Sequence, residues 1–387
     1  MRCNWRSLAL GELVNYCGKG ITPKYTLDIN SRNAVPVIGQ KCIRNYTIHG
    51  ELVRYHDKEK RSYRTDKLVQ PNDILINSTG VGTAGRVAQV SNSFKKECLT
   101  DSHVLTLRTC DIDPLYLGYF VKSVQAEIEL MAEGSTGQTE LNKSRLLSEI
   151  VVSFPENSEQ QRKISSFFQI IDEEISIKNR INDYLTDLAT ALFEKALNEE
   201  TCLIPFGELA ELEDSKRIPL NKQDRENRKG PYPYYGATSI MDFVDDYLFD
   251  GIRVLLGEDG SVMTDEGYPF LQYVWGKYWV NNHAHIIKAK SDYSLEALYL
   301  ALRRTVISHI VTGAVQMKIS QKNLNSLELQ MPNPTTIPDF GPIFAMYRHN
   351  ADEAKLLAEL RDILLPKMMS DDIDVSKIST HWEEDFE

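Results

Sequence analysis

Apolar residues near the middle of the chain recur at helical spacing over a long stretch. Ile164, Phe168, Ile171 and Ile175, then Ile181, Leu185, Leu188 and Leu192, give a 4-3-4 spacing held twice, with no Gly or Pro between them. The pattern predicts one helix over 159–198, entered after an extended run that ends at Pro155 and capped by Ser158. About 40 residues at 1.5 Å each reach roughly 60 Å, and a rod of that length with an apolar stripe requires a partner helix. The step from Ile175 to Ile181 is too long for one register, so the seam is expected to shift there as a stutter would require.

Before this helix the pattern is of short β-like segments between turns, at 34–42, 52–55, 73–77, 86–90, 102–107 and 149–154. One helix is predicted over 114–133, opened by Asp113 as cap and Pro114 in its first turn. After the long helix the same order returns. Leu10-Gly11-Glu12-Leu13 reappears as Phe206-Gly207-Glu208-Leu209, and Pro36-Val37-Ile38-Gly39 as Pro233-Tyr234-Tyr235-Gly236. Ser102-His103-Val104 is matched to Ala284-His285-Ile286, and Leu185, Leu188 and Leu192 to Leu357, Leu360 and Leu364, within a second helix from about 338 to 370 that also carries Tyr347.

The organisation read from this is a first mixed domain over 1–157, a long helix over 158–200, a second domain over 201–335, a second long helix over 336–370 and an acidic tail over 371–387. The fold class is α+β: two tandem mixed domains separated by two long helices. Two apolar stripes on helices leaving separate globules are buried by pairing, and an antiparallel coiled coil would give the chain a pseudo-two-fold axis. Such an arrangement suits a target with two parts.

Composition changes the picture in one respect. The apolar fraction of 42% and charged fraction of 26% are ordinary for a folded protein, but the net charge of −11 argues at first against a nucleic-acid partner. The distribution qualifies this, because residues 1–157 carry +3 and residues 158–387 carry −14, with seven acids and one lysine in the tail alone. Local patches decide binding, not the total. The N-terminal stretch lacks a signal-peptide pattern and no run approaches 18 apolar residues, so a cytoplasmic protein with no membrane association is expected. The six cysteines are scattered, without zinc spacing, and are read as reduced and structural.

The candidate chemistry lies in loops. Gly80-Val81-Gly82-Thr83-Ala84-Gly85 matches G-x-G-x-x-G, yet 86–90 reads as a strand where a dinucleotide fingerprint needs a helix. The loop 77–86 is instead rich in hydroxyls and free of bulky side chains, which suits close approach to a phosphate backbone; Ser78, Thr79 and Arg86 are its candidate contacts, and a plain hairpin turn is the competing reading. Just after a strand, 39–46 combines bases, an amide and an aromatic, the mixture used in direct base readout, with Lys41, Arg44 and Tyr46 singled out beside Lys19 and Lys24. The equivalent stretch of the second repeat offers Tyr235, Thr238 and Ser239, with Ser261, Asn281, Asn282, His283, Gln316 and Lys318 further along. Different chemistry at the same scaffold position predicts different targets for the two heads. His283 and His285 would share a face of a strand and could hold a metal, but no Cys or acid in the local sequence completes a site, and no metal is expected. Asp352-Glu353-Ala354-Lys355 falls within a helix, and no catalytic constellation is found.

Taken together, several motifs resemble one family. Gly134-Ser135-Thr136-Gly137-Gln138 through Leu146, followed by Phe154-Pro155 and then Glu159-Gln160-Gln161-Arg162-Lys163-Ile164 opening a long helix, is similar to the close of a target recognition domain in the specificity subunits of type I restriction-modification systems. Tyr234-Tyr235-Gly236-Ala237, Leu255-Leu256-Gly257-Glu258-Asp259-Gly260-Ser261 and the run from Lys277 to His285 resemble another form of that domain. The second half departs from the pattern where Asn333-Pro334-Thr335-Thr336-Ile337 replaces the Glu-Gln helix entry. The resemblance implies a non-catalytic reader of double-stranded DNA, each head taking one half of a bipartite site and the helices setting the spacer. It adds Thr136 and Gln138 to the candidate DNA contacts. It also implies two modification subunits using S-adenosylmethionine and restriction subunits using ATP and Mg²⁺, with no cofactor in this chain. A stand-alone nuclease or methyltransferase and a helical scaffold without DNA are the rival readings.

Overall fold

Strand pairing shows the duplication element by element. The computed structural model describes residues 4–370 and Ile373, apart from 92–93, 95, 110, 135–138, 291 and 314–315. The chain divides into one unit of 1–175 with 355–387 and a second of 176–354.

In the first unit Trp5–Ala9 pairs antiparallel with Val151–Pro155, tying the start of the head to the entry of the long helix. One sheet runs in the order Val14–Lys19, Val104–Thr109, Ile74–Asn77, Val87–Gln89, and is antiparallel throughout. Another places Leu99–Thr100, Ala34–Ile38, Arg54–Asp57 and Tyr25–Thr26 side by side, with a parallel step between the first two. The second unit repeats this arrangement, except that the fourth strand of its mixed sheet joins the opposite edge. Thr201–Pro205 pairs with Glu328–Pro332, the antiparallel sheet runs Ala210–Leu212, Ala284–Ala289, Arg253–Gly257, Leu271–Val274, and a mixed sheet runs Ile240–Val244, Lys229–Tyr235, Lys277–Val280, Phe249–Asp250.

The register corrects one sequence match. Asn77 faces Val104 as Gly257 faces Ala284, so His103 corresponds to His283 and not to His285. The predicted helix over 114–133 is also corrected: it is two helices, Pro114–Ser123 and Gln125–Leu130, broken at Val124. The break has a local cause, since Ser123 Oγ donates to Phe120 O at 2.6 Å and the Gln125 side chain is drawn off to accept from Val87 N at 2.9 Å.

The first long helix spans Ser158–Glu199. Its cap is Asn157, whose Oδ1 accepts from Glu159 N at 2.8 Å, so Ser158 is the first helical residue and not the cap. The second spans Gly341–Met369, starting later than expected because Asp339 Oδ1 accepts from Gly341 N at 2.9 Å and fixes the entry there.

The seam of the first helix contains no stutter. Buried or half-buried positions fall at Ile164, Phe168, Ile171, Ile175, Lys178, Asn182, Leu185, Ala189, Leu192 and Ala196, an unbroken 4-3 repeat. The reading from apolar residues alone failed because two seam positions are polar. Lys178 pairs with Glu353 at 2.6 Å, while Asn182 donates to Tyr347 O and accepts from Asn350 Nδ2, both at 3.0 Å. Ile181, Leu188 and Leu360, expected in the seam, are exposed at 38%, 48% and 45%. Leu357 and Leu364 are half-buried against the first core, Leu192 against the second, and Tyr347 is half-buried. Within the second unit the partners fall from Glu353 to Asn350 to Phe340 as the first helix rises from Lys178 to Asn182 to Phe193, which is antiparallel pairing.

Each head shares a core with helix segments. Ile76, Leu105, Leu117 and Val121 pack with Ile164, Phe168, Leu365 and Met368 in one cluster; Phe206, Val254, Ile287 and Leu298 pack with Ala189, Phe193, Phe340 and Phe344 in another. No described helix is long and apolar enough to cross a membrane.

Candidate nucleic-acid interface

In the second unit three turns meet. The strand Lys229–Tyr235 ends at Gly236, whose N donates to Ser239 O at 2.8 Å and closes a hairpin that displays Thr238 and Ser239. The turn after Arg253–Gly257 is pinned where Gly260, at φ 85°, donates its N–H to Met317 O at 2.9 Å. The third turn is set by Asn281, whose Oδ1 accepts from His283 N at 2.8 Å while its own N donates to Tyr235 O at 3.0 Å. Together they form a concave surface lined by Gly236, Ala237, Thr238, Ser239, Met241, Asp259, Gly260, Asn281, His283 and Gln316.

The polar groups on this surface are oriented in advance. Gln316 Nε2 donates to Asp259 Oδ1 at 2.7 Å, which leaves its carbonyl oxygen outward as an acceptor. Asn281 is buried, with its oxygen committed to the turn and its amide N–H₂ directed at Met241 Sδ at 3.2 Å, so it holds the floor of the surface in place. The surface therefore offers the Gln316 amide, the His283 ring, the Thr238 and Ser239 hydroxyls and the Met241 thioether side by side, a mixture suited to base edges in a major groove. Asn282 and Ser261 are exposed on the adjoining turns. Lys318 stands behind, 3.5 Å from Glu258. Tyr235 does not line the surface; its half-buried ring meets Tyr278 edge-on at 5.8 Å, and burial pushes its hydroxyl pKa up, so it supports the turn from below.

Beneath the surface a charged network is closed on itself. His285 presents Nδ1 to Asp214 Oδ2 at 2.6 Å and Nε2 to Ile319 O at 2.9 Å, two acceptors for one imidazole. Asp214 also accepts from Ile286 N and Gln321 Nε2. Burial pushes the Asp214 carboxyl up, but the His285 hydrogen bond and charge, with these donors, hold it below the ordinary carboxylate value. Asp214, Glu258 and His285 have the spacing of a metal site, yet Arg217 already bonds Glu258 at 2.6 Å and lies 3.7 Å from Asp214, so a guanidinium stands where a cation would. His283 belongs to the turn and does not join His285, which is fully buried.

The first unit builds its counterpart from the equivalent turns with different side chains. Ser78 N donates to His103 O as Glu258 N does to His283 O, both at 2.8 Å, and Gly80 N donates to Thr139 O as Gly260 N does to Met317 O. By that match Gln138 occupies the sequence position of Gln316; Thr136 and Gln138 themselves lie outside the described residues. Gly80, Gly82 and Gly85 all have positive φ and lead into a strand, so the glycine motif is a turn and has no helix N-terminus for a pyrophosphate.

Here Arg44, Asn45, Tyr46, Thr83, Arg86 and Gln125 line a concave surface. Arg86 lies on this surface and braces the turn by donating to Gly82 O at 2.7 Å. Lys41 is exposed on the neighbouring turn, and Thr79 Oγ1 meets His103 Nδ1 at 2.7 Å. Ser78 is corrected: it is 1% exposed with its hydroxyl unpartnered among the described residues, and cannot touch a ligand from there. Lys19 is paired with Glu140 at 2.6 Å, and Lys24 is exposed on a loop anchored to His56; neither lines the concave surface. Asn45, Thr83, Gln125, Met241 and Asp259 were missed. Thr83 carried a signal in its place in the glycine loop, Asn45 in the marked stretch 39–46 and Asp259 in the turn before Ser261; Gln125 and Met241 carried none.

The family model described as the type I restriction modification DNA specificity domain matches this sequence twice, over residues 3–187 and 199–336. The chain belongs to that family. Its two matches coincide with the two repeats whose turns build the concave surfaces. A type I restriction enzyme specificity subunit of Haemophilus influenzae, S.HindORF215P, is 32% identical over 128 residues, which is 33% of this chain and 32% of that protein, so the alignment spans about a third of the relative. The MjaIX type I restriction enzyme specificity subunit of Methanocaldococcus jannaschii is 22% identical over 303 residues, 68% of this chain and 69% of that one. Among solved structures, the S subunit of a type I restriction-modification system from M. genitalium superposes with a TM-score of 0.56 at 18% identity, over 95% of this chain and 96% of that chain, a likeness of fold. The specificity-domain fold thus accounts for the paired strands, the long helices and their duplication.

Proposed function

We propose that this chain is the sequence-reading subunit of a type I restriction-modification complex, in which each concave surface contacts one half of a bipartite site on double-stranded DNA. The observation that carries this is the convergence of equivalent turns in both repeats, one presenting Arg44 and Arg86, the other Thr238, Ser239, His283 and Gln316. A shared scaffold with divergent contact chemistry is what two unlike half-sites demand. Catalysis belongs to other subunits: methyltransferases binding S-adenosylmethionine and restriction subunits using ATP and Mg²⁺, in the cytoplasm.

Two exposed apolar stripes support the association with two methyltransferase copies. Tyr184 and Leu188 are exposed at 63% and 48% on the first long helix, and their repeat equivalents Leu356 and Leu360 at 63% and 45% on the second. Seam-like spacing on a face turned to solvent suits an added helix. The test is to purify the chain with its methylating subunits and compare, at one stated salt concentration, binding to the motif found by methylome sequencing with binding to scrambled duplex. A ratio of at least about 10³ is expected for specific reading. Equal affinities would sink the proposal, and methyl transfer by the chain alone would favour an enzyme instead.

A further inference from the structure

Tyr46 stands on the concave surface of the first unit with a backbone that a bulky residue resists. Asn45 and Tyr46 take φ of 50° and 61° in succession, a region that Asn tolerates and an aromatic side chain seldom adopts. The two residues form the tip of a hairpin between Ile43–Arg44 and Thr47–Ile48, a turn that requires positive φ at both positions and that Tyr fills at a cost its surroundings must offset. The second long helix supplies the holder, because the Arg361 guanidinium lies 5.2 Å from the Tyr46 ring centroid.

That guanidinium is itself fixed from behind. Arg361 donates to Asp172 on the first long helix at 2.7 Å and to Asp362 at 2.9 Å. Asp172 is held in turn by the Tyr119 hydroxyl at 2.9 Å and by Lys122 at 3.3 Å. The cation is therefore positioned from both helices and from the head before the ring meets it. Both loops are closed by backbone bonds of their own, the first as a hairpin of Ile43–Arg44 with Thr47–Ile48 and the second by the bond from Gly236 N to Ser239 O; the first has the Arg361 contact in addition.

We propose that Arg361 is a positioning residue for the first half-site: through the face of Tyr46 it holds the loop 44–47 in its reading conformation, so that base discrimination by the first head depends on a residue of the second long helix. This rests on the DNA-reading function proposed above. The holding contact is electrostatic and directional, which separates it from simple packing. An uncharged side chain of similar length would fill the space without anchoring the ring.

The experiment uses the full chain with its methylating subunits and duplexes carrying substitutions confined to one half-site. In the wild type each altered half-site lowers affinity. Arg361→Met is expected to shrink the penalty for the first half-site at least fivefold, with the second-half penalty unchanged and serving as the folding control. Arg361→Lys should restore most of it, Tyr46→Phe should behave as wild type, and Tyr46→Leu should copy Arg361→Met, the double variant being no worse than either. Full first-half discrimination in Arg361→Met, equal losses at both halves, or additive effects of the two substitutions would overturn the inference. If Arg44→Ala and Arg86→Ala together leave both penalties intact, the reading function of this surface fails instead.

Discussion

Asn350 donates its side-chain amide to Asn182 Oδ1 at 3.0 Å, joining the two long helices through a polar pair that is 8% and 7% exposed. A paired amide in an apolar seam favours one register, because any slip buries unpaired donors and acceptors. Asn182→Leu alone should destabilise the chain by about 1–3 kcal/mol, the cost of orphaning Asn350. The double variant to Leu should recover that loss or exceed wild type. Urea unfolding of the three variants checks the order; a double variant no better than the worse single one would refute it.

In the second head, Gln316→Ala should relax sequence preference at the second half-site by about 1–3 kcal/mol for a lost base contact. Asn281→Ala should relax it as well, by loosening the turn that its buried oxygen fixes through His283 N. Binding to duplexes altered in one half at a time provides the readout. Preference at the first half-site should not move.

Lys41 and Arg44 are exposed beside the first concave surface. If they neutralise phosphates, each change to Ala should lower the slope of log affinity against log salt by about 1. A contact to a base would weaken binding to the correct sequence while leaving affinity for unrelated DNA intact. Titrations over a range of salt on both kinds of duplex separate the two.

The Asp214 carboxyl is held below its ordinary value near 3.8 by the His285 contact and the other donors. A depressed carboxylate contributes stability that is present above the unfolded value and is lost as pH falls through the folded one. Asp214→Asn should therefore cost about 3 kcal/mol at neutral pH, the usual penalty for breaking a buried pair, and less near pH 3. Denaturant titrations of both proteins at the two pH values measure the difference, which should shrink in acid.

Leu188→Asp and Leu360→Asp place charge on exposed helix faces outside the seam. Neither should lower the melting temperature by more than a degree or two, since substitutions at such positions rarely exceed ±0.5 kcal/mol. Each should remove one methyltransferase copy from the complex, and both together should leave the chain unassociated. Mass measurement of the purified complexes decides this.

The duplication, the succession of segments along the chain and the long helices were legible in sequence because repeated motifs and a seam of large apolar residues mark them. The seam's register was not, since Lys178 and Asn182 interrupt the apolar pattern where polar partners across the seam replace packing. The second concave surface was largely legible: five of its lining residues, Thr238, Ser239, Asn281, His283 and Gln316, were candidates because turn position and side-chain chemistry coincide. Asp259 and Met241 were not, as their roles are to aim Gln316 and to flank Asn281, relations that only tertiary structure creates. Ser78 misled because a hydroxyl in a glycine-rich loop gives no sign of which way it faces.

The cores shared between heads and helices bear on how such chains diversify. A crossover at residue 157 would part the first head from Ile164, Phe168 and Ile171, whose side chains fill the same cluster as Ile76 and Leu117. An incoming head would then have to fit an inherited helix surface that it had never packed against. A crossover near residue 175, where the two units divide, carries that part of the helix along with its head. Exchange of recognition modules by recombination should accordingly leave its junctions in the middle of the long helices, in stretches whose sequence must be common to parent chains, and not at the visible edge of the globule.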